Sequence, residues 1–214
     1  MKRLLGALGD LVLPPTCGSC GGGVPAEDRH RLCPPCRAAI RDLAGDPPRV
    51  RDAAVVACAS SFDGLLQDLI QRFKYRAELA LARPLAELLV EVALARDLQP
   101  DIVVPVPLSL DRMRERGFDH TWLLAGPVAA ALGVPREAAL ARAPGRPPQV
   151  GLALEHREDN VAGVFSAVGS AQEDAHVLLI DDVVTTGATA SEAARTLRAA
   201  GAASVDVVAL AHRQ

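Results

Sequence analysis

Two adjacent acids and a threonine-rich loop stand side by side in the stretch VLLIDDVVTTGAT, residues 177–189. The loop TTGAT leads into a predicted helix, so its backbone N–H groups and hydroxyls converge where a phosphate is favoured. Asp181 and Asp182 would repel that phosphate, but their oxygens can accept hydrogen bonds from the vicinal hydroxyls of a ribose. The stretch therefore predicts a ribose 5-phosphate site. The alternative is that the acids only cap a helix at the end of a strand.

Four of the five cysteines form a second chemical pattern, Cys17-Gly-Ser-Cys20 followed after twelve residues by Cys33-Pro-Pro-Cys36. Tetrahedral zinc needs four thiolates at about 2.3 Å, and a two-residue gap lets one tight turn present both sulfurs of a pair. The pattern predicts a structural zinc site, because no position is left for water or substrate. Two disulfides or a redox pair are the alternatives, which a reducing compartment and the matched pairs disfavour. We expect Cys58, in a predicted core strand, to be a small buried hydrophobe.

Composition limits the class of protein. The chain has 214 residues, half of them apolar, and a net charge of −3. That charge argues against a protein that coats DNA over its whole surface, and an aromatic content of 3% counts against single-strand binding by base stacking. Residues 1–12 keep the leucine spacing of a short amphipathic helix and lack the cleavage site of a signal peptide. We expect a cytoplasmic protein without a membrane span.

Strand and helix patterns alternate from about residue 50 onward. The predicted strands are 52–60, 101–107, 177–180 and 204–211, and the predicted helices are 62–75, 84–97, 121–132 and 188–200. Fully apolar strands that alternate with helices predict a parallel sheet covered on both faces. We therefore expect an α/β domain over residues 50–214, preceded by a loop-rich cysteine module over residues 1–45. The loop at 143–149, rich in proline, is predicted to be exposed and mobile.

The order of these segments resembles a known family. The acid and threonine stretch is similar to the signature that binds phosphoribosyl pyrophosphate (PRPP) in type I phosphoribosyltransferases. With the double CxxC head, the segments LIQRFKYRAELALARPLAELL, DIVVPVPLSLDRMRERGFDHTWLLA and PPQVGLALEHREDNVAGVF resemble, over nearly the whole chain, the ComF family of competence-associated, phosphoribosyltransferase-like proteins. The resemblance implies a zinc ribbon on a type I phosphoribosyltransferase fold. It also implies a link to uptake of transforming DNA, with PRPP, single-stranded DNA and proteins of the DNA-uptake machinery as partners.

The resemblance further implies roles for individual residues. Asp181 and Asp182 would hold the ribose hydroxyls during catalysis, and Arg112 and Arg116 would neutralise the pyrophosphate. Mg²⁺ would be bound mostly through the oxygens of the ligand itself. The other residues expected to bind PRPP are Lys74, Pro105, Pro107, Ser109, Thr185, Thr186, Gly187, Ala188 and Thr189. For the two arginines, a solvated charged helix face is the alternative.

The sequence also departs from the usual pattern of the family. Asp119 and His120 stand where the family has Asn-Gln, and Pro144 and Arg146 stand where it has Arg and Thr. Thr185 occupies a position where many purine salvage enzymes carry a carboxylate, so salvage of hypoxanthine or guanine is not expected. Two functions remain open. The chain is either a transferase that passes phosphoribosyl to an unidentified acceptor, or a non-catalytic PRPP sensor that binds single-stranded DNA or a protein partner.

Overall fold

The computed structural model describes residues 16–25, 32–41, 46–143 and 162–213. The predicted N-terminal helix lies outside these residues, and so does the loop at 143–149 apart from Ala143. Within the described part of the chain, no helix is both long and apolar enough to cross a membrane.

All of the helices and strands predicted from residue 50 onward are present, together with shorter ones that were not predicted. In chain order the elements are α1 Pro34–Arg41, β1 Val55–Ser61, α2 Gly64–Tyr75, α3 Ala82–Ala95, β2 Ile102–Pro105, α4 Leu110–Arg116, α5 His120–Leu132, β3 Leu140–Arg142, β4 Phe165–Ala167, β5 His176–Val184, α6 Ala188–Ala199 and β6 Ser204–His212. The helices α1 and α4 and the strands β3 and β4 were missed, because each is too short to show a clear periodicity.

The main sheet has the strand order β1-β6-β5-β2, and each neighbouring pair is parallel. This confirms the predicted parallel sheet. A second, two-stranded sheet pairs β3 with β4 antiparallel. Since all four main strands run in one direction, their carboxyl ends meet along one edge, where the loops that follow them come together.

Helices cover both faces of the main sheet. Leu66, Leu69 and Phe73 repeat at helical spacing along α2, and they pack with α3 and α5 on one face. Leu197 of α6 lies in the core on the other face. Alternate residues of β5 belong to the two cores, because successive side chains of a strand point to opposite faces. The predicted α/β arrangement is therefore confirmed.

Side-chain caps set where the helices beside the edge begin. Asp63 accepts a hydrogen bond from the Gly64 N–H at 2.6 Å, at the start of α2. Asp119 accepts one from the Trp122 N–H at 2.9 Å and another from the Thr121 hydroxyl at 2.7 Å, at the start of α5. Asp119, whose role the sequence left open, is thus a helix N-cap.

The cysteine module shares its core with the helices. Cys17, Val24 and Ile40 are buried in the same cluster as α2, α3 and α5. Arg72 of α2 also donates a hydrogen bond to the carbonyl of Gly18, at 2.8 Å. Contacts between the module and the α/β part of the chain are therefore both apolar and polar.

Cys58 lies on β1, away from the other cysteines. It packs against the core on the α6 face. Burial, followed by the nearby charge of Asp181, raises the pKa of its thiol to about 12. Cys58 is therefore partly rather than fully buried, as against the small buried hydrophobe that was expected, and its thiol stays protonated near neutral pH.

The prediction that β5 ends at Ile180 is wrong. The strand continues to Val184, because its pairing with β6 continues through Asp181 opposite Ala209 and Val184 opposite His212. The two acids therefore lie within a strand rather than after it. Adjacent residues of a strand point to opposite faces, so the two carboxylates have different neighbours.

Candidate functional site

A cavity of about 290 Å³ opens at the carboxyl edge of the main sheet. It is lined by residues that follow all four main strands, such as Phe62 after β1, Pro107 after β2, Thr185 after β5 and Arg213 after β6. Ligands of open parallel sheets bind in the crevice at this edge. The cavity is therefore the candidate functional site.

Most residues singled out from the sequence line this cavity. Those that do are Lys74, Pro107, Arg112, Arg116, Asp181, Asp182, Thr185, Thr186 and Thr189. Four others lie beside it and shape it. Pro105 is the buried last residue of β2, Ser109 caps α4 by accepting from the Arg112 N–H at 3.3 Å, and Gly187 and Ala188 begin α6. The roles of all these residues toward a ligand stay predictions.

Asp182 faces α2 and α5. Its Oδ2 forms an ion pair with Lys74 of α2 and lies 2.7 Å from Nε2 of His120. Its Oδ1 accepts a hydrogen bond from the Val183 N–H at 2.7 Å. The side chain is only 9% exposed, so these contacts hold the carboxylate in one orientation at the floor of the cavity.

His120 connects Asp182 to Arg116. Nη1 of Arg116 lies 3.0 Å from Nδ1 and 3.3 Å from Nε2 of the imidazole, and Nε2 also lies 2.7 Å from Oδ2 of Asp182. Burial, followed by the positive charges of Lys74, Arg116 and Arg112, lowers the pKa of His120 to about 2. A neutral ring with its hydrogen on Nε2 satisfies both neighbours, because Nδ1 then accepts from Arg116 while Nε2–H donates to the carboxylate.

Asp181 points to the face of the sheet opposite Asp182. It accepts a hydrogen bond from the Asp182 N–H at 2.8 Å. Burial raises the pKa of its carboxyl, against the lowering effect of the positive charges of Lys74, Arg142 and Arg112. A hydrogen-bond donor or a cation placed beside this carboxyl would favour its ionised form.

The loop after β5 is compact and opens toward the cavity. Thr186 accepts a hydrogen bond from the Ala188 N–H at 3.3 Å, which forms a tight turn before α6. Gly187 has a φ of +79°, and a Cβ at this position would lie 2.8 Å from the carbonyl oxygen of Arg49. Only glycine fits there without displacing the segment that carries Arg49.

The lining of the cavity is rich in cations. Among the described residues, five cations line it against two carboxylates, namely Lys74, Arg112, Arg116, Arg142 and Arg213. Three of the arginines lie over aromatic rings. The distances from guanidinium carbon to ring centroid are 5.1 Å for Arg116 and Tyr75, 5.3 Å for Arg142 and Phe165, and 5.8 Å for Arg213 and Phe62. An excess of positive charge in a concave site attracts anionic ligands.

Sequence reasoning left several lining residues without a role, among them Phe62, Tyr75, Arg142 and Arg213. A signal existed for two of them, because Phe62 and Arg213 lie two residues past the ends of the strands predicted at 52–60 and 204–211 and so belong to the carboxyl edge. No comparable signal existed for Arg142, which stands on the unpredicted strand β3.

The four cysteines of the CxxC pairs come together. Their sulfur atoms all lie within 4.8 Å of one another, with 3.7 Å between Cys20 and Cys33. A tetrahedron with 2.3 Å bonds places its sulfurs roughly 3.8 Å apart, so the cluster fits a metal ion. Burial, with a smaller effect of the neighbouring thiols, raises the pKa of Cys36 to about 12. A bound cation would reverse that shift.

Comparison with known proteins gives the family. Residues 123–214 match the phosphoribosyl transferase domain. The DNA utilization protein YhgH of Salmonella typhimurium is 34% identical over 89% of this chain and 87% of its own length. Competence protein F of Haemophilus influenzae is 33% identical over 68% of this chain and 67% of its own length. The chain belongs to the ComF family.

A more distant ComF relative also spans most of the chain. Competence protein ComFC of Bacillus subtilis is 28% identical over 87% of this chain and 79% of its own length. Among solved structures, the allosteric regulatory enzyme of purine biosynthesis is 23% identical with a TM-score of 0.47, over 65% of this chain and 29% of that chain. The last likeness adds nothing to the assignment, which rests on the ComF relatives.

Proposed function

We propose that this ComF-family chain binds PRPP with Mg²⁺ and transfers its phosphoribosyl group to an acceptor that is still to be identified. One observation carries the proposal. The acid pair and the adjacent threonine loop line a single cavity at the carboxyl edge of a parallel sheet, together with cations from distant parts of the chain. These are the groups that the hydroxyls, the phosphate and the pyrophosphate of PRPP require.

Each part of PRPP then has a place in the cavity. The 5′-phosphate binds the loop at 185–189, where N–H groups and hydroxyls meet the start of α6. The ribose hydroxyls donate hydrogen bonds to Asp181 and Asp182. The pyrophosphate lies beside the segment that follows β2, where Arg112 and Arg116 line the cavity.

The residues present also fit Mg²⁺. This ion is usually held by one or two carboxylates together with substrate phosphates. The buried carboxyl of Asp181, whose pKa is raised, is suited to a nearby cation. When bound, the ion would supply positive charge to the pyrophosphate oxygens.

The reaction is a displacement at C1′ of the ribose. The bond between C1′ and the pyrophosphate oxygen breaks, a bond between C1′ and a nitrogen of the acceptor forms, and that nitrogen loses its proton. The role of Arg112 and Arg116 is to stabilise the charge that develops on the leaving pyrophosphate. The buried Asp182, held by Lys74 and His120, keeps the ribose oriented while the bond breaks.

The names of the relatives favour a role connected with DNA. The matched proteins are named for competence and for DNA utilization, and we propose the same setting for this chain. In a second candidate function, PRPP binding only signals, and the cation-rich cavity rim contacts the phosphates of single-stranded DNA. Such contacts weaken steeply as salt is added.

For the cysteine cluster we propose a structural zinc ion. The four sulfurs already lie near tetrahedral spacing, and four cysteines leave no position for a reacting ligand. Metal analysis of protein purified under reducing conditions should return one zinc per chain. A chain without metal would contradict this assignment.

Calorimetry with PRPP and Mg²⁺ tests the proposal, beside an assay for pyrophosphate release with candidate acceptors. We expect Asp181→Asn and Asp182→Asn to weaken PRPP binding about tenfold or more, because each removes a charged acceptor of a hydroxyl hydrogen bond. Asp97→Asn is the matched control, since Asp97 is exposed and does not line the cavity.

Three outcomes separate the possibilities. Absence of PRPP binding in the presence of Mg²⁺ would overturn both candidate functions. Pyrophosphate release that depends on Asp181 and Asp182 would exclude the purely signalling role. Salt-sensitive binding of single-stranded DNA without any pyrophosphate release would favour the second candidate over the first.

A further inference from the structure

The guanidinium group of Arg72, on α2, joins two segments that are far apart along the chain. Its Nη2 donates to the carbonyl of Gly18 at 2.8 Å and to Oε2 of Glu78 at 2.6 Å, and its Nε donates to Oε1 of Glu78 at 3.0 Å. Gly18 stands in the CxxC turn between Cys17 and Cys20, whereas Glu78 follows α2. One side chain therefore connects the cysteine cluster to the segment after the helix.

The pairing of Arg72 with Glu78 is bidentate, which adds a defined geometry to the attraction of the two charges. Hydrogen bonds from Arg72 hold the pKa of the Glu78 carboxyl below its usual range, so the pair is ionised near neutral pH. Asp68, one turn earlier on α2, accepts from Nη1 of the same guanidinium at 3.3 Å. These contacts fix the guanidinium in the orientation in which it meets Gly18.

The segment between α2 and Glu78 contains a strained residue. Ala77 has a φ of +51°, in the left-handed region, which is unfavourable for a residue with a Cβ. Such a conformation persists only where the surrounding contacts fix it. Here the contacts are the pair of Arg72 with Glu78 and the hydrogen bond from the Arg76 N–H to the Arg72 carbonyl at 3.0 Å. The conformation of this turn therefore depends on Arg72.

The last turn of α2 also carries two residues that line the cavity. Lys74 forms an ion pair with the buried Asp182, and the ring of Tyr75 lies 5.1 Å from the guanidinium carbon of Arg116. Both stand within three positions of Arg72, in the turn that leads into the strained segment. A change in this turn moves the groups that hold Asp182, a proposed acceptor of the ribose hydroxyls.

We infer that Arg72 is a positioning residue that couples the cysteine cluster to the cavity, so that metal binding at the cluster and ligand binding in the cavity strengthen each other. This coupling rests on the proposed PRPP function, which supplies the ligand. A loaded cluster fixes the CxxC turn, whose Gly18 carbonyl accepts from Arg72. An empty cluster releases that turn, so the guanidinium loses one partner and Ala77 relaxes. The last turn of α2 then holds Asp182 less firmly.

Calorimetric titration of the zinc-loaded chain with ribose 5-phosphate tests the positioning role. Coupling between two sites typically changes an affinity about 5- to 150-fold. We expect Arg72→Gln to weaken binding about fivefold or more, and Glu78→Gln to weaken it in the same direction, although neither residue lines the cavity. Arg83→Gln is the matched control, because Arg83 is an exposed arginine that pairs with Glu87 on its own helix, α3. It should leave the affinity unchanged.

Urea unfolding of the same zinc-loaded variants separates positioning from a purely structural role. Arg72→Gln and Glu78→Gln should each remain folded and lose affinity. A lower free energy of unfolding with an unchanged affinity for ribose 5-phosphate would show that Arg72 only stabilises the fold, and would overturn the coupling. If Arg72→Gln does not fold, the milder change Glu78→Gln decides.

Removal of the metal with a chelator, under reducing conditions, tests the coupling itself. Where circular dichroism shows that the metal-free chain is folded, ribose 5-phosphate should bind it about fivefold or more weakly than it binds the zinc-loaded chain. Ribose 5-phosphate should strengthen zinc binding by the same factor in competition with a chromogenic chelator, because coupling is reciprocal. In Arg72→Gln, metal removal should cause no further loss. If the metal-free chain does not fold, the zinc-loaded variants decide.

The outcomes distinguish the coupling from the function of the cavity. If ribose 5-phosphate binds the folded chain equally well with and without metal, the coupling is wrong and the PRPP function stands. The coupling is equally wrong if the losses from metal removal and from Arg72→Gln simply add, because the two sites then act independently. If neither PRPP nor ribose 5-phosphate binds the zinc-loaded chain, the proposed function fails and the coupling fails with it.

Discussion

At the scale of single residues, His120 links Arg116 to Asp182 in the candidate site. Arg116 requires an acceptor and Asp182 benefits from a donor, and one neutral imidazole supplies both. A glutamine, which the ComF family usually has here, offers the same two functions, because its carbonyl accepts and its amide donates. A glutamine at this position would therefore be able to contact the same two neighbours.

We predict that His120→Gln keeps the affinity for PRPP within a few-fold of the unchanged protein, whereas His120→Leu weakens it. Leucine removes the ring nitrogen beside the Arg116 N–H and leaves Oδ2 of Asp182, among the described residues, with Lys74 alone, and the loss of a buried hydrogen-bond partner costs about 1–3 kcal/mol in stability. Calorimetry for binding and urea unfolding for stability check this. Equal behaviour of the leucine and glutamine variants would show that His120 serves only to fill space.

The pKa of His120 also predicts a pH dependence of folding. Below about pH 6.5 the unfolded chain takes up a proton at this histidine, while the folded chain, with a pKa of about 2, does not. Stability should therefore fall with decreasing pH by up to about 1.4 kcal/mol per pH unit, relative to His120→Gln.

The raised pKa of Asp181 acts in the opposite direction. Its folded carboxyl binds a proton at a higher pH than the unfolded one, so this group adds stability as the pH falls through the folded pKa. Asp181 is present in both proteins, and its effect cancels in their difference. Urea unfolding between about pH 5 and pH 8 measures that difference. A difference that does not change with pH would contradict a neutral, buried His120.

At the scale of elements, β5 and the loop that follows it control the position of the proposed phosphate site. The loop is pressed against the segment before β1, where the carbonyl of Arg49 approaches Gly187 and the side chain of Ser191 accepts a hydrogen bond from the Arg51 N–H at 3.0 Å. The turn is therefore supported from outside as well as by its own hydrogen bonds.

We predict that Gly187→Ala weakens binding of ribose 5-phosphate about tenfold or more, because the new Cβ at 2.8 Å from a backbone oxygen must displace the loop. Gly133→Ala is the matched control. Gly133 has a similar φ of +73° with nothing within 4 Å of the added Cβ. It should lose only about 1 kcal/mol of stability and no affinity. Calorimetry and thermal unfolding measure both quantities.

At the scale of the whole molecule, the cysteine module and the α/β domain share one core. Cys17 and Ile40 are buried with the helices of the main domain, and Arg72 joins the turn at Gly18 to α2. The same helix carries Lys74, which pairs with Asp182. The cysteine cluster is thus connected by a single helix to the floor of the cavity.

We predict that removal of the proposed zinc ion with a chelator lowers the melting temperature of the whole chain in a single transition. Each 1 kcal/mol lost should shift the midpoint by about 2–4 °C for a chain of this size. Calorimetry checks this, with Cys58→Ala as a control that keeps its metal, because Cys58 lies outside the cluster. A separate early transition followed by an unchanged main one would show that the module unfolds alone.

Much of the candidate site and of the cysteine cluster could be predicted from the sequence, because their residues lie in short segments of the chain. The acids and the threonine loop lie within thirteen residues, and the cysteines lie in two pairs. Such local groups are brought together by one strand, one turn or one helix start. The parallel sheet could be predicted for a similar reason. The spacing of apolar residues indicates the helices and strands, and the alternation of strands with helices along the chain indicates a parallel sheet.

What could not be predicted depends on contacts between distant residues. Lys74 and His120 meet Asp182 only because α2 and α5 pack on the same face of the sheet. A low aromatic content argued against stacking, yet Phe62 and Tyr75 both line the cavity. Composition averages over the chain, whereas packing concentrates particular side chains in one place.

The sequence by itself therefore determined which groups this protein has at the candidate site and in the cysteine cluster, and the tertiary structure decided how they are oriented. The extension of β5 through the acid pair shows the difference most clearly. Residue types and spacing specify the two carboxylates. Only pairing with β6 turns them to opposite faces of the sheet, because a strand, unlike a loop, alternates its side chains.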